Sequence, residues 1–262
     1  MSIHPTALVE AGAEIGDGVE IGPYCIVGPE VVLAAGVVLE AHVVVAGRTT
    51  IGPRSRVWPF ASLGHQPQDL KYRGEPSRLE IGADCRIREH VTANPGTEGG
   101  GMVTRIGDGC LLMVGTHIGH DCQVGRGAIF ANNATLAGHV DVGEGAVLGG
   151  LSAVHQFVRI GPGAMVGGMS GVEKDVIPFG SVIGNRAELG GLNVIGLKRR
   201  GVPREAIHAL RAAYREIFYG EGALADRAAR AAAAHPESPE VQSVVAFIRA
   251  DTSRSFCTPR DA

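Results

Sequence analysis

The feature that most constrains this chain is a repeat of six residues. From Ile3 the sequence divides into ten consecutive hexads, ending at Ser62, and every one of them begins with Ile, Val or Leu. The pattern resumes at Ile81 for two hexads and at Ile106 for twelve more, ending before Pro178. An α-helix would scatter a period of six around its surface, whereas short strands joined by turns keep it in register. The chain is therefore expected to form stacked short strands.

The residues inside each hexad predict how the strands stack. Fifth positions from Ala7 to Ala61 hold only small or medium side chains, and Gly accounts for 39 of the 262 residues, roughly twice the usual 7%. This composition predicts a parallel β-helix in which three hexads form one triangular coil, with coils about 4.8 Å apart. We expect first and fifth residues to point inward and third and fourth residues to point outward. Glycines at second positions are expected to relieve the corner geometry.

Composition, charge and cysteine spacing exclude several classes of protein. The net charge of −3 and the pI near 6.4 give no basic surplus for nucleic acid. No stretch approaches the roughly 18 consecutive apolar residues of a membrane span. The N-terminus has neither a basic region nor an apolar signal core, which predicts a cytoplasmic protein. Five scattered cysteines without a CxxC pair indicate reduced thiols.

The hexads are interrupted twice, and each interruption predicts a loop that leaves the coil. The first loop lies between Leu63 and Ile81 and contains several charged residues and Tyr72. The second runs from Ala93 to Arg105 and is rich in glycine. Ejected loops often carry function, although an inert flexible insertion is the simpler alternative.

After Pro178 the pattern becomes helical. Three helices are expected, over VPREAIHALRAAYREIFY, over the Ala-rich ALADRAARAAAAH, and over SPEVQSVVAFIRA with Ser238 as N-cap and Pro239 at the first helical position. The last dozen residues are expected to be frayed. We predict a mainly β protein with a β-helix domain over residues 1–185 and a C-terminal α-helical domain over residues 186–262.

Four histidines fall in one short window of the second half. A coil of three hexads stacks His120, Gly138 and Gln156 along one edge, and the remaining histidines of the window flank that column: His117, His139, His155. Outward positions suggest a surface, so one alternative is a set of solvated polar residues. A second is a zinc site that includes His117 and His120, as in carbonic anhydrases built on a similar coil. The third is general base catalysis by one histidine.

Several longer motifs are more specific than the repeat itself. They are QDLKYRGEPSR (68–78) and GLKRRG (196–201) outside the hexads, and HIGHDCQVG (117–125), FANNATLAGHVDVG (130–143) and AVHQFVRIG (153–161) within them. In these motifs, and over nearly its entire length, the chain resembles the family of bacterial UDP-N-acetylglucosamine acyltransferases. The resemblance implies a left-handed parallel β-helix that transfers a 3-hydroxyacyl chain from acyl carrier protein to the 3-hydroxyl of UDP-N-acetylglucosamine. This reaction is the first step of lipid A biosynthesis, and it needs no cofactor or metal.

The resemblance also implies roles for individual residues. His120 matches the catalytic base, Asp121 its acidic partner, and the backbone N–H of Gly138 the oxyanion donor; the coil arithmetic independently places Gly138 one layer from His120. Residues that match contacts to the sugar and the acyl donor are Gln68, Asp69, Lys71, His117, His139, His155 and Gln156. Those that match contacts to the uridine diphosphate are Asn193, Arg199 and Arg200. Gly168 matches the position that limits acyl-chain length, and its small size predicts a long chain.

Two positions depart from the family pattern, and two other functions stay open. Ile195 stands where the family often has Glu, and Pro95 stands where a basic residue is expected. The family is trimeric, which implies a homotrimer with sites between neighbouring coils. One alternative is the related N-acyltransferase that acts on a 3-amino sugar nucleotide. It normally carries an N-terminal uridine-binding domain, for which hexads beginning at Ile3 leave no room. A non-enzymatic scaffold is the other alternative.

Overall fold

Strands of two residues recur along the chain, and each pairs in parallel with the strand one coil away. The structure, a computed structural model, describes residues 1–250 and 254–260. Ser2 lies opposite Glu20 and Ile3 opposite Ile21, so one regular coil takes eighteen residues. The hexads therefore fold as predicted, into a left-handed parallel β-helix whose three flat sides are three sheets.

The three sheets differ in length. Within the described residues the first sheet has eleven strands: Ser2–Ile3, Glu20–Ile21, Val38–Leu39, Arg56–Val57, Arg86–Ile87, Leu111–Leu112, Ile129–Phe130, Val147–Leu148, Met165–Val166, Gly180–Ile183 and Glu188–Leu192. The second has nine: Leu8–Val9, Ile26–Val27, Val44–Val45, Ser62–Leu63, Thr92–Ala93, His117–Ile118, Thr135–Leu136, Ala153–Val154 and Gly171–Val172. The third has eight: Glu14–Ile15, Val32–Leu33, Arg48–Ile51, Arg78–Ile81, Val103–Ile106, Gln123–Val124, Asp141–Val142 and Arg159–Ile160.

The interior of the coil is filled by the first and fifth residues of each hexad, as expected. Ile118, a first residue, and Cys122, a fifth residue, are both fully buried. Burial raises the pKa of the Cys122 thiol to about 12, so this thiol stays protonated and packs as a small apolar side chain. The only Phe at a first position, Phe130, is also fully buried. One contiguous apolar core therefore runs along the axis.

The role expected of second-position glycines is corrected by the backbone angles. The left-handed conformation falls at the fourth position of the hexad, at Asp121 (φ 62°), His139 (φ 61°) and Phe157 (φ 65°) among others. Gly119, a second residue, is not left-handed, but a Cβ there would lie 2.8 Å from the backbone of Ala137 in the next coil. Second-position glycines are therefore needed because adjacent coils approach closely, and not because the corner turns there.

Each corner of the triangle has its own character. The ladder corner joins the first sheet to the second and carries Tyr24, His42, Phe60 and His90. The loop corner joins the second sheet to the third, and both interruptions of the repeat leave the coil there, at residues 64–77 and 94–102. The glycine corner joins the third sheet to the first and has left-handed glycines in many coils, among them Gly127, Gly145 and Gly163.

Four helices follow the coil: α1 (Val194–Arg199), α2 (Arg204–Tyr219), α3 (Leu224–Ala234) and α4 (Pro239–Arg249). The three predicted helices are present, and Ser238 caps α4 by accepting from the Val241 N–H. The segment before them holds α1, which was not expected. In the part of the chain described, no helix has the length and apolar character needed to cross a bilayer. The boundary between residues 185 and 186 stays a prediction.

The end of the chain packs against the last coil instead of fraying. Phe256 forms a β-bridge with Asp175, and Cys257 is buried. Asp175 is fully buried and pairs with Arg159, whose guanidinium lies 4.2 Å from the centre of the Phe247 ring. These contacts hold Phe256 and Cys257 against the coil. The prediction also covered residues 251–253 and 261–262, which lie outside the described residues.

Candidate active site

The loop corner brings a histidine and an acid together. His120 and Asp121 are the third and fourth residues of one hexad, and the His120 Nδ1 lies 2.8 Å from Oδ2 of Asp121. Because an ionised carboxylate only accepts hydrogen bonds, Nδ1 carries the proton and Nε2 keeps its lone pair. The pair is therefore arranged as a base with an acid that orients it.

The expectation that the four histidines line a surface is wrong for His120. His120 is 8% exposed and Asp121 is 4% exposed, although both point away from the coil interior. The second loop folds over them: the Thr97 N–H donates to Oδ1 of Asp121 at 2.8 Å, and the Thr97 hydroxyl donates to Oδ2 at 2.6 Å. The sequence period predicts that these side chains point out of the coil, but it does not predict that the second loop covers them.

Gly138 lies directly against the ring of His120, one coil further along. A Cβ at Gly138 would meet the Cε1 and Nε2 atoms of His120, so no other residue fits beside the ring without moving it. Within the described residues the Gly138 N–H has no acceptor, whereas its carbonyl accepts from the Phe157 N–H. An unused N–H next to a histidine Nε2 is a suitable donor for a developing oxyanion.

Two more histidines lie near the pair. His139 stacks on Phe157 with ring centres 4.4 Å apart, and its Nδ1 lies 3.7 Å from Oδ2 of Asp121. His117 shares a hydrogen bond with Thr92 across the second sheet. The pKa of each is lowered, in both cases mainly by burial; repulsion from His120 adds to the shift. Both rings are thus held toward the neutral form.

The first loop approaches the same corner. Asp69 and Lys71 are close enough to His139 to act on its pKa in opposite directions, and the Asp69 carboxylate accepts from the Lys71 N–H at 2.9 Å. Gln68 is exposed in the same loop. The two loops are tied together because Asn94 donates to the backbone carbonyls of the first loop.

His155 and Gln156 lie one coil beyond Gly138 and are both exposed. The guanidinium of Arg254 lies 2.8 Å from the His155 Nδ1. Sequence reasoning missed Arg254, because it lies 99 residues away in a segment expected to be frayed. It also missed Thr97, although a Thr just before Glu98 resembles a helix cap.

The residues predicted to bind the uridine diphosphate are not at this corner. Arg200 lies over the glycine corner, where a Cβ on Gly145 or Gly163 would press against its guanidinium. Arg199 is exposed nearby. Asn193 caps α1 by accepting from the Gly196 N–H, and its amide donates to the Gly163 carbonyl. The Asn193 side chain therefore links α1 to the coil, because one end bonds to the helix and the other to the coil.

Gly168 lies on a third edge, in the ladder corner. It stacks beyond Gly150, and a Cβ on Gly168 would lie 3.3 Å from the Gly150 carbonyl oxygen. Beside it, Leu151 is 59% exposed and Met169 is 74% exposed. The pair of His120 and Asp121, the two arginines and Gly168 thus lie at three different corners of a single chain.

The two departures from the family pattern differ in surroundings. Ile195 is 66% exposed in the first turn of α1, so it offers a bare apolar surface where the family often has a carboxylate. Pro95 is buried at the start of the second loop, between Asn94 and Gly96. A basic residue would not fit this buried position without a partner.

The geometry also bears on the zinc alternative. His120, Asp121 and His139 place potential ligand atoms within 4.8 Å of one another. Three donors already contact the Asp121 carboxylate, namely the Thr97 N–H, the Thr97 hydroxyl and the His120 Nδ1–H, out of roughly four acceptor sites. An acid so fully engaged fits the orientation of His120 better than the coordination of an ion.

The fold and this site together define a hexapeptide-repeat acyltransferase. Residues 104–138 match the family model for the bacterial transferase hexapeptide (six repeats), and residues 175–257 match the model for UDP-N-acetylglucosamine O-acyltransferase, domain 2. The second match covers the end of the coil and most of the helices, which the hexads alone do not identify.

Whole-chain comparisons give the family. A protein of Methylobacterium radiotolerans named acyl-[acyl-carrier-protein]--UDP-N-acetylglucosamine O-acyltransferase is 64% identical over 260 residues, covering 99% of this chain and 96% of the relative. A protein of Caulobacter vibrioides with the same name is 60% identical over 78% of this chain and 77% of the relative. The chain therefore belongs to the UDP-N-acetylglucosamine O-acyltransferase family.

Solved structures agree with this assignment. The UDP-N-acetylglucosamine acyltransferase from Campylobacter jejuni superposes with a TM-score of 0.93 at 39% identity, covering 99% of this chain and 100% of the other. The enzyme of the same name from Francisella novicida gives a TM-score of 0.95 at 31% identity, covering 99% of this chain and 95% of the other. The predicted fold and acyltransferase class are confirmed.

Proposed function

We propose that this chain transfers a 3-hydroxyacyl group from acyl carrier protein to the 3-hydroxyl of UDP-N-acetylglucosamine, with His120 as general base. This reaction would be the first step of lipid A biosynthesis and would take place in the cytoplasm. The observation that carries the proposal is the hydrogen-bonded pair of His120 and Asp121 beside Gly138, whose N–H has no acceptor among the described residues.

The steps follow from this arrangement. Nε2 of His120 takes the proton of the sugar 3-hydroxyl while the oxygen of that hydroxyl attacks the thioester carbonyl. The tetrahedral oxyanion accepts a hydrogen bond from the Gly138 N–H, and Asp121 stabilises the imidazolium. The intermediate collapses with cleavage of the C–S bond, and His120 returns the proton to the departing thiolate of the carrier. No covalent enzyme intermediate is needed, and Cys122 is buried in the core.

The separation of the proposed residues onto different corners supports a homotrimer. The pair of His120 and Asp121 lies at the loop corner, whereas Arg200 lies at the glycine corner. A second copy that turns its glycine or ladder corner toward the loop corner would complete one site. Cyclic symmetry would give each of three copies the same contacts, and exposed apolar residues of the ladder corner such as Leu151 and Met169 would be covered.

A basic surface on the helices supports docking of the carrier. Lys198, Arg204, His208 and Arg211 line one hollow between α1 and α2. Acyl carrier proteins are acidic, so opposite charges would steer the two proteins together. Docking at this surface would orient the carrier so that its thioester reaches the site between two copies of the chain.

An acyl-transfer assay tests the proposal and separates the two acyltransferases. The purified protein is given a ladder of 3-hydroxyacyl carrier proteins with UDP-N-acetylglucosamine or with its 3-amino analogue. We expect consumption of the thioester only with the nucleotide sugar present, and preference for the 3-hydroxyl acceptor. Faster reaction with the 3-amino sugar would favour the N-acyltransferase, and no reaction with either would favour a scaffold.

The same ladder tests the position that limits chain length. Gly168 has no side chain to shorten an acyl cleft, so we expect a preference for a long chain, around fourteen carbons. Gly168→Met is expected to shift the preference to shorter chains, because each CH₂ that loses its apolar contact costs about 0.8 kcal/mol. A wild-type preference for ten carbons, or an unchanged preference in the variant, would contradict this role.

A further inference from the structure

The carboxylate of Asp121 is held by a residue outside the hexads. Thr97, in the second loop, donates its backbone N–H to Oδ1 and its hydroxyl to Oδ2. Oδ2 is also the oxygen bonded to the His120 Nδ1. Thr97 is 5% exposed and Asp121 is 4% exposed, so solvent does not compete strongly for these bonds.

The local conformation of Thr97 makes this contact unusual. Thr97 precedes the short 3₁₀ turn Glu98–Gly100 as its N-cap, but its side chain makes no capping hydrogen bond. A Thr at this position commonly caps its own helix. Here the hydroxyl is directed away from its own turn and onto the carboxylate of a residue 24 positions later.

The rest of the second loop is shaped to the same carboxylate. A Cβ on Gly100 would overlap the carboxyl group of Asp121, and a Cβ on Gly96 would press on its Oδ1. In addition, the Asp121 N–H donates to the Thr104 hydroxyl at 2.7 Å. The carboxylate is therefore enclosed on several sides and has one orientation.

We propose that Thr97 is a positioning residue, which holds Asp121 so that the His120 Nδ1 keeps its proton and Nε2 stays free to act as base. This inference rests on the proposed function of His120. Without the hydroxyl, one donor to Oδ2 is lost and the carboxylate is less firmly oriented, so the proton of His120 is shared between the two ring nitrogens. In this proposal Thr97 acts on the reaction through Asp121.

Three variants test the proposal through steady-state kinetics. Thr97→Val keeps the shape and the backbone N–H but loses the hydroxyl, and we expect kcat to fall roughly 10- to 100-fold with little change in KM. Thr97→Ser restores the hydroxyl and is expected to stay within about 3-fold of the wild type. Thr49→Val is the matched control: Thr49 is equally buried, donates to the Ala46 carbonyl at 2.7 Å, and is expected to leave kcat unchanged.

A double variant and a spectroscopic measurement make the test decisive. In an Asp121→Ala background, Thr97→Val is expected to cause no further fall in kcat, because the hydroxyl acts only through that carboxylate. Nitrogen NMR of the His120 ring in the substrate-free protein is expected to show the Nδ1-protonated tautomer in the wild type and a mixture in Thr97→Val.

Each result has a defined meaning. An equal fall in kcat in the Val and Ser variants, the same fall on adding Thr97→Val to the Asp121→Ala background, or an unchanged tautomer would overturn the role of Thr97. A changed tautomer with unchanged kcat would instead overturn the proposed function of His120, while the contact of Thr97 with Asp121 would stand.

Discussion

Two corners of the same coil carry stacked rings that include histidines, yet among the described residues only one of these corners has a histidine bonded to a carboxylate. At the ladder corner, Tyr24, His42, Phe60 and His90 stack on successive coils with ring centres 5.0 to 5.1 Å apart. At the loop corner, His139 stacks on Phe157 at 4.4 Å. The rings that stack all occupy fourth positions of hexads, with left-handed backbones.

The difference lies in what surrounds the histidine. His42 is exposed between two aromatic rings. His120 occupies a third position, so the fourth position can hold an acid, Asp121, within one hydrogen bond. The next third position is Gly138, which leaves room for the ring, and the second loop covers the pair. The repeat thus presents histidines at two of its corners, and the inserted loop, Asp121 and Gly138 give His120 surroundings that His42 lacks.

The largest expected effect tests this comparison directly. His120→Ala is expected to lose roughly 10²–10⁴-fold in kcat, the range for a positioned base, whereas His42→Ala is expected to stay within about 2-fold. Nucleotide-sugar binding is expected to survive, because Arg200 lies at another corner. Added zinc or a chelator is expected to have no effect on the wild-type rate. The measurements are steady-state kinetics and direct titration of the nucleotide sugar.

Two results would contradict the assignment of the base. One is an active His120→Ala variant combined with an inactive His139→Ala or His155→Ala variant, which would move the base to another histidine of the corner. The other is an equal loss in His42→Ala, which would mean that the ladder corner takes part in the reaction.

A smaller effect is expected at the glycine corner, where the comparison predicts binding without chemistry. Arg200→Ala is expected to raise the KM for the nucleotide sugar about 10-fold with a smaller change in kcat, because a diphosphate contact is similar in the ground and transition states. Arg54→Ala is the matched control, since Arg54 lies on the same corner and pairs with Asp84 near the other end of the coil. Equal KM values in the two variants would remove Arg200 from the site.

The smallest effect concerns the dependence of stability on pH. Burial lowers the pKa of His117 in the folded protein, and repulsion from His120 adds to the shift. The unfolded chain then binds more protons below its histidine pKa of about 6.5, so the free energy of unfolding falls as the pH drops through that value toward the lower folded pKa. His117→Gln is expected to lose less stability than the wild type between about pH 7 and pH 5. Urea unfolding at both pH values measures the two slopes, and a steeper slope in the variant would contradict this.

Much of the fold follows from the sequence because its physical signal is local. The six-residue period requires short strands in register, and the inward side chains at first and fifth positions are read directly from their size. The same arithmetic places Gly138 beside His120, since both are third residues of hexads eighteen positions apart. The helix cap of Ser238 before Pro239 is likewise a local signal.

The sequence by itself determined the coil, its repeat length and the family to which the chain belongs. Only the tertiary structure decided that both ejected loops leave at the same corner as His120, that Thr97 and Asp121 meet there, and that Arg254 returns to His155. Loop closure and tail packing join residues from 24 to 99 positions apart, and no period connects them. Periodicity fixes contacts between successive coils, because backbone hydrogen bonds enforce the stacking, but it leaves free the path of every segment outside the repeat.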